Sequence, residues 1–385
     1  MDQALAETLT GWRRHLHANP GLTLHEGQTA AFVAEKLRAM GVEVTEGVGG
    51  HGVVGTLRRG KGGASNRSVG LRGDMDALPI QELNALLPHR STIPGVMHAC
   101  GHDGHTTALL GAAALLAADE SWTGTIQLVF QPAEEGGGGA RSMIADGLFQ
   151  RFPMERIFGW HNWPGLEAGT IAVHDSAVMA AGARFEIIFE GHAGHAALPH
   201  LTRDPMIGAG HCIVALQSIV ARNIDPMQAA VVSVTVAEAG EAQNQVAARA
   251  TLKGTARWLT AETGEAIETG MRRIAAGIAA TFGLEAEVVF KVGVAPTVNH
   301  PAEREAAAAA AGAVTRVRRD LLPAMTGEDF SFFLQQVPGA FVWIGNGPGE
   351  GGRELHNPAY DFNDAILPVA SGFLAEVAKR ALAGD

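Results

Sequence analysis

The sequence predicts an α/β protein whose mixed, mainly parallel sheet carries helices on its faces and is interrupted by a smaller ferredoxin-like α+β domain. Apolar strand-like runs alternate with helical stretches through the first half of the chain, the pattern of strands joined by crossover helices. The middle of the chain reads β-α-β-β-α-β instead, the order of a split unit able to fold by itself.

Taken in order, helices are expected from about Ala4 to Ala18 and from about Gly27 to Met40. Strands follow at Gly52 to Leu57, Ser68 to Leu71, Thr125 to Phe130 and Ile157 to Trp160, with an Ala/Leu-rich helix from about Thr106 to Ala118. The insert opens with the strand RFEIIFE (184–190) and a helix from about Pro205 to Arg222. It continues through AAVVSVTVAE (229–238), QVAARATLKGTAR (245–257), a helix from about Ala261 to Phe282 and the strand LEAEVVFKV (284–292). A helix at 303–314 and the strand AFVWIG (340–345) return to the first pattern. Residues 1–182 with 294–385 therefore form one domain, and 183–293 the other. The alanine run at 306–311 is a good helix former and no functional signal.

With 385 residues, 46% hydrophobic and 18% charged, the chain can bury one large core or two smaller ones. No apolar run approaches the roughly 18 residues of a membrane span, and the N-terminus MDQALAETLTGWRRH lacks the regions of a secretion signal. A cytoplasmic location without membrane contact is the expectation. A formal charge of -11 without a basic stripe argues against nucleic acid as a partner. Two cysteines, Cys100 and Cys212, make no disulfide framework.

Chemistry concentrates at the strand ends. Asp74 and Asp76 follow the strand ending near Leu71, and His98, Cys100, His102, Asp103 and His105 crowd the turn before the Thr106 helix. Glu134 and Glu135 follow Phe130, His161 follows Trp160, and His356 lies beyond a Gly-rich loop after the strand at 340–345. Loops at the carboxyl ends of strands in open α/β sheets converge on one crevice. Cys100 and His102 are two apart, which in an extended segment turns both side chains the same way. Thiolate, imidazole and carboxylate are the donors of zinc and related divalent ions. Neighbouring glutamates repel, so burying both needs a cation; one can then ligate while the other serves as a base. Singly, each signal has a plainer explanation. A lone Cys is ordinarily a small buried hydrophobe, an EE pair a solvated surface pair, and Asp74 and Asp76 could simply form a turn. Their shared placement carries the joint reading.

Together these strings resemble the M20 metallopeptidase family, in its amidohydrolase branch of aminoacylases, hippurate hydrolases and auxin-conjugate hydrolases. The likeness runs from RRHLHANPGLTLHEGQTA (13–30) through LRGDMDALPI, HACGHDGHT, PAEEGGGGA, GHAGHAALPH and TGEDFS to LHNPAYDFND. It implies a mixed-sheet metallohydrolase domain with an inserted lid/dimerisation domain. It implies two divalent ions per subunit held by Cys100, His102, Glu135, His161 and His356, with the Cys100 thiolate bridging. Thiolate favours zinc and carboxylates suit manganese; nickel and cobalt are also compatible. Glu134 matches the general base and Asp76 the carboxylate that orients a ligand histidine, while Asp74 stands where other M20 branches carry a histidine ligand. His195 matches a histidine that stabilises the oxyanion, often in the partner subunit's site. Asn244 and Arg257 match residues that grip the substrate carboxylate. The chain departs from the family at His192, where Lys is common, and at Gln245-Val246-Ala247, where an Ile-Pro pair follows the lid Asn.

The resemblance implies hydrolysis of the amide bond of N-acyl amino acids or related small amides, by a homodimer. A dipeptidase or carboxypeptidase on the same fold is the alternative. A metal-binding regulatory protein is a third reading, which the Glu134 beside the ligand strings opposes. A redox or nucleophilic role for Cys100 is a fourth.

Overall fold

The computed structural model describes residues 1–60 and 67–384. Its longer elements, in chain order, are α1 (Gln3–Ala18), α2 (Gly27–Ala39), β1 (Glu43–Val48), β2 (Gly52–Arg59), β3 (Ser68–Asp74), α3 (His102–Ala118), β4 (Gly124–Gln131) and β5 (Arg156–Pro164). Then come β6 (Ala181–Glu190), α4 (Pro205–Ser218), β7 (Ala230–Ala239), β8 (Arg249–Trp258), α5 (Ala261–Phe282) and β9 (Glu285–Val294). The chain closes with α6 (Pro301–Val314), β10 (Gly339–Gly347) and α7 (Leu367–Ala383). It divides into two compact units, Met1–Val178 with Val298–Leu322 and Asp329–Asp385, and Met179–Thr297 with Pro323–Glu328.

The first unit holds a mixed sheet in the order β1-β2-β4-β3-β5-β10, extended by the short strands Ile171–Ala172 and Val317–Arg318. Strands β4, β3, β5 and β10 run parallel to one another, while β1 and β2 form an antiparallel edge against β4 and Ile171–Ala172 lies antiparallel to β10. The parallel strands are buried on both faces, which is why they read as nearly unbroken apolar runs. Their carboxyl ends lie at one edge of the sheet, and the polar strings of the sequence leave from there.

Helix α3 is buried almost all round, so it shows no amphipathic stripe. Helix α7, which the sequence reading leaves unassigned, packs along it. Helix α7 buries a broad apolar surface from Leu367 to Leu382, with Glu376, Lys379 and Arg380 on its more open side.

Two local expectations are corrected. Helix α3 begins at His102, not Thr106, because Gly101 takes a left-handed turn (φ 91°) and starts the helix early. Cys100 and His102 thus share no extended segment and converge across that turn. His161 does not follow a strand; it lies within β5, which continues to Pro164.

The second unit is a four-stranded antiparallel sheet in the order β7-β8-β6-β9. Helices α4 and α5 pack on it around Phe189, Leu216, Leu252, Ile267 and Met271. Taken as a unit, the strands follow the 4-1-3-2 order of a ferredoxin-like fold. Helix α4 ends at Ser218, short of Arg222, and gives way to a π-helical turn at Ile219–Asn223.

A buried charge cluster fixes the start of α3. His17 Nδ1 lies 2.7 Å from Asp103 Oδ2, and Arg13 reaches Asp361 (2.8 Å) and Asp364 (2.5 Å). Burial pulls the His17 pKa down, but Asp103 and Glu82 outweigh it and push it up to about 9. A folded pKa above the unfolded value of about 6.5 adds stability that is complete below that pH and disappears as the pH rises through about 9. The stability difference between the protein and its His17→Gln variant should therefore be larger near about pH 6 than near about pH 9.5 in denaturant titrations. A difference that does not vary with pH would contradict this.

Candidate metal centre

Four parallel strands and one helix start deliver the site. Strand β3 ends at Asp74 and leads to Asp76, while Gly101 and the first turn of α3 bring in Cys100 and His102. Strand β4 runs out into Glu134 and Glu135. The turn between them is forced by Ala133, a non-glycine residue at φ 53°; its N–H donates to the buried Glu26 carboxylate at 2.9 Å. Strand β5 carries His161. After β10, His356 adopts φ 63°, and its N–H donates to the Ala99 carbonyl at 2.7 Å. Left-handed backbone at non-glycine residues is uncommon and persists where surroundings over-determine it; here both cases flank donor residues.

The donor atoms form overlapping sets. Those of Cys100, His102 and His161 lie within 4.8 Å of one another, as do those of Cys100, Glu135 and His356, and those of His102, Glu134 and Glu135. The Cys100 sulfur belongs to two of these sets, as does Glu135, and His102 also belongs to two. His161 donates from Nδ1 to the Asn162 carbonyl (2.6 Å), so its Nε2 turns a lone pair toward Cys100 Sγ, 3.4 Å away. His102 Nδ1 lies 2.9 Å from the Asp76 carbonyl and 3.2 Å from Asp76 Oδ1. Its Nε2, wholly buried, has no hydrogen-bond partner, and neither has Glu135 Oε1. Glu135 Oε1 nevertheless lies 3.1 Å from His356 Nε2. Buried polar atoms without hydrogen bonds are costly; these two have ion-pair contacts alone, His102 Nε2 lying 3.5 Å from Asp74 Oδ2, and their grouping with a thiol and imidazoles fits a divalent ion.

The electrostatics agree. Burial, then the charges of Glu135, Glu134 and Asp74, push the Cys100 thiol well above its usual range. Burial lowers the pKa of His161 and keeps that ring neutral. Burial also works against charge on His102, yet Asp74 and Asp76 outweigh it and lift the ring to about 10. The pocket draws positive charge. Thiolate, imidazole and carboxylate in such a field suit transition ions such as zinc.

Of the supporting residues, Asp76 and Asp74 were singled out by the sequence, whereas Arg72, Gln131 and Asp329 were not. Asp76 holds two donors together: Oδ1 faces His102, and Oδ2 accepts from the Glu135 N–H (3.0 Å) and Thr23 Oγ1 (2.8 Å). Asp74 accepts from His105 Nδ1 (2.6 Å) and the buried Arg72 guanidinium (2.9 Å), and its Oδ2 lies 3.5 Å from His102 Nε2. Glu134 Oε1 accepts from the Asp329 N–H at 3.4 Å, and the Asp329 side chain is pinned by Gln131, Arg72 and the Ala140 N–H. An arginine inside an otherwise apolar strand run is the one signal that could have revealed Arg72.

The other sequence-predicted residues lie in the second unit. His195 forms the two-residue strand Gly194–His195, paired with Gln245 beside Asn244. Its Nδ1 accepts from the Ala197 N–H at 3.1 Å, which leaves the proton on an exposed Nε2. The Asn244 carbonyl accepts from the Ala196 N–H at 2.9 Å. Arg257 sits near the end of β8, its guanidinium against Gly182 and Gly327.

Comparison with known proteins agrees with this geometry. Residues 70–380 match peptidase family M20/M25/M40. A hippurate hydrolase from Campylobacter jejuni is 41% identical over 373 residues, covering 96% of this chain and 95% of that protein. An N-acetyl-L-cysteine deacetylase from Bacillus subtilis is 38% identical over 379 residues, covering 98% and 89%. A crystal structure described as a dinuclear metal-binding peptidase of the M20 family, from Bacillus subtilis, superposes with a TM-score of 0.87 at 34% identity, covering 99% of both chains.

Because Asp76 orients one donor and fixes the backbone of another, Asp76→Ala should weaken metal binding by about 10- to 100-fold. Metal retained after dialysis against graded chelator measures this; retention equal to that of the unmodified protein would contradict it.

Proposed function

This chain belongs to peptidase family M20/M25/M40, and from that footing we propose that it is a metal-dependent amidohydrolase cleaving the amide bond of N-acyl amino acids or related small amides. The observation that carries the proposal is the shared Cys100 sulfur between two donor sets, with the Glu134 carboxylate beside them. Relatives named for hydrolysis of hippurate and deacetylation of N-acetyl-L-cysteine support the substrate class.

Cys100, His102, Glu135, His161 and His356 would hold two divalent ions, zinc or manganese in preference to nickel or cobalt. Ions held there would supply a Lewis acid for the amide carbonyl and would lower the pKa of water. Glu134 takes a proton from the attacking water and returns it to the leaving nitrogen, a transfer worth roughly 10²- to 10⁴-fold in rate. The Asp329 N–H aims the Glu134 carboxylate, and Asp76 holds His102 in the tautomer that keeps Nε2 available. His195, with its Nε2 proton outward, supplies a donor to the developing oxyanion, in its own site or the partner subunit's; one such donor contributes about 3 to 4 kcal/mol. Asn244 and Arg257 grip the substrate carboxylate, the guanidinium through paired hydrogen bonds. The second unit serves as lid and dimerisation domain of a cytoplasmic homodimer.

Two measurements test this reading. Turnover of N-acetyl and N-benzoyl amino acids should exceed turnover of dipeptides; a preference for dipeptides would make the protein a dipeptidase on the same fold. Glu134→Gln should keep its metal content while kcat falls at least about 10²-fold, and full turnover by that variant would remove Glu134 from the mechanism.

A further inference from the structure

The chain has a single tyrosine, Tyr360, and it is fully buried. Its hydroxyl donates to Asn162 Oδ1 at 2.8 Å. Asn162, also wholly buried, sits next to His161 in β5 and uses every polar group it has. Its side-chain Nδ2 donates to the Cys100 carbonyl at 2.6 Å. Its backbone N–H donates to His105 Nε2 at 3.0 Å, and its carbonyl accepts from His161 Nδ1 at 2.6 Å. Tyr360 belongs to the same segment as His356, four residues along, and its carbonyl accepts from Asn84 Nδ2 at 3.1 Å. One asparagine and one hydroxyl thus connect three separate donor-bearing segments: the Cys100 turn, strand β5 and the His356 loop.

The fit around this pair is close. A Cβ at Gly101, between Cys100 and His102, would come within 2.3 Å of Asn162 Nδ2 and 2.6 Å of Tyr360 Oη. Gly101 therefore serves two ends, the left-handed turn and the approach of this pair to the Cys100 backbone. A tyrosine buried only for packing needs no such arrangement, because phenylalanine would fill the space without a hydroxyl to satisfy.

We propose that Tyr360 and Asn162 are positioning residues that act as a strut, setting the separation between the Cys100, His161 and His356 donors and hence the spacing of the two ion positions. The proposal rests on the metal-hydrolase reading above. Neither residue presents a donor atom to an ion; both act through the ligands they hold. Removing the hydroxyl frees the His356 loop from β5 and leaves Asn162 Oδ1 buried without its donor, so the pair of positions loosens while the fold persists.

The test uses the full-length protein, stripped of metal and reloaded with cobalt(II), in four forms: unmodified, Tyr360→Phe, Asn162→Asp and Val377→Ala. Val377→Ala, a core change on α7, controls for destabilisation alone. The thiolate-to-cobalt charge-transfer band and the visible cobalt bands report donor geometry, and competition with a chelator reports affinity. The strut predicts that Tyr360→Phe and Asn162→Asp shift the bands and lose about tenfold or more in affinity for at least one cobalt. Val377→Ala should show the unmodified spectrum and affinity at a comparable drop in melting temperature. Spectra and affinities of Tyr360→Phe that match those of the unmodified protein would overturn the strut while leaving the hydrolase reading intact, as would a Val377→Ala variant that loses affinity equally. An unmodified protein that binds no cobalt through sulfur would overturn both.

Discussion

Mutual repulsion among buried acidic groups is the constraint on which the rest of the structure depends. Asp74 and Asp76 are fully buried, and half-buried Glu135 lies by the Cys100 thiol with Glu134 grouped beside it. Some of this charge is answered within the protein. Arg72 and His105 serve Asp74, and Arg72 also reaches Asp329. Glu135 faces the His356 ring at 3.1 Å, and the carboxylates gathered around the Cys100 thiol make a site where further positive charge is favourable. Cations held between the donor sets would relieve that repulsion, and the same charge would serve to activate water in the proposed reaction.

The fold meets the constraint by bringing distant segments to one edge. Each of the four adjacent parallel strands contributes a donor-bearing or donor-supporting segment at or just beyond its carboxyl end, the usual position for sites in open α/β sheets. Precision then comes from backbone strain and hydrogen bonds, not from the strands alone. Ala133 and His356 occupy left-handed conformations beside donors, and each is tied down by its own N–H, to Glu26 and to the Ala99 carbonyl. Asp76 and Asn162 work at the next layer out, each holding two donor segments in register.

What could be read in advance follows from this division. The parallel strands were legible because burial on both faces leaves unbroken apolar runs, and the split βαββαβ order is visible in the sequence of the second unit. Helix α7 went unassigned although Glu376, Lys379 and Arg380 mark a narrow polar face beside its broad buried surface. The early start of α3 was hidden by Gly101, whose positive φ no side-chain pattern announces. Among site residues, the donors stand out as unusual strings of His, Cys, Glu and Asp. Their supports do not: Asn162 and Tyr360 are ordinary residues 198 positions apart, and the Asp329 contribution to Glu134 is a backbone N–H.

The most direct test of the central claim is X-ray absorption at the zinc edge on protein loaded with zinc, with metal content counted on the same sample. The account predicts two zinc ions per chain, a mixed sulfur and nitrogen/oxygen shell with a Zn–S distance of about 2.3 Å, and a metal–metal distance of about 3.5 to 4 Å. A single zinc per chain, or a shell without sulfur, would contradict it.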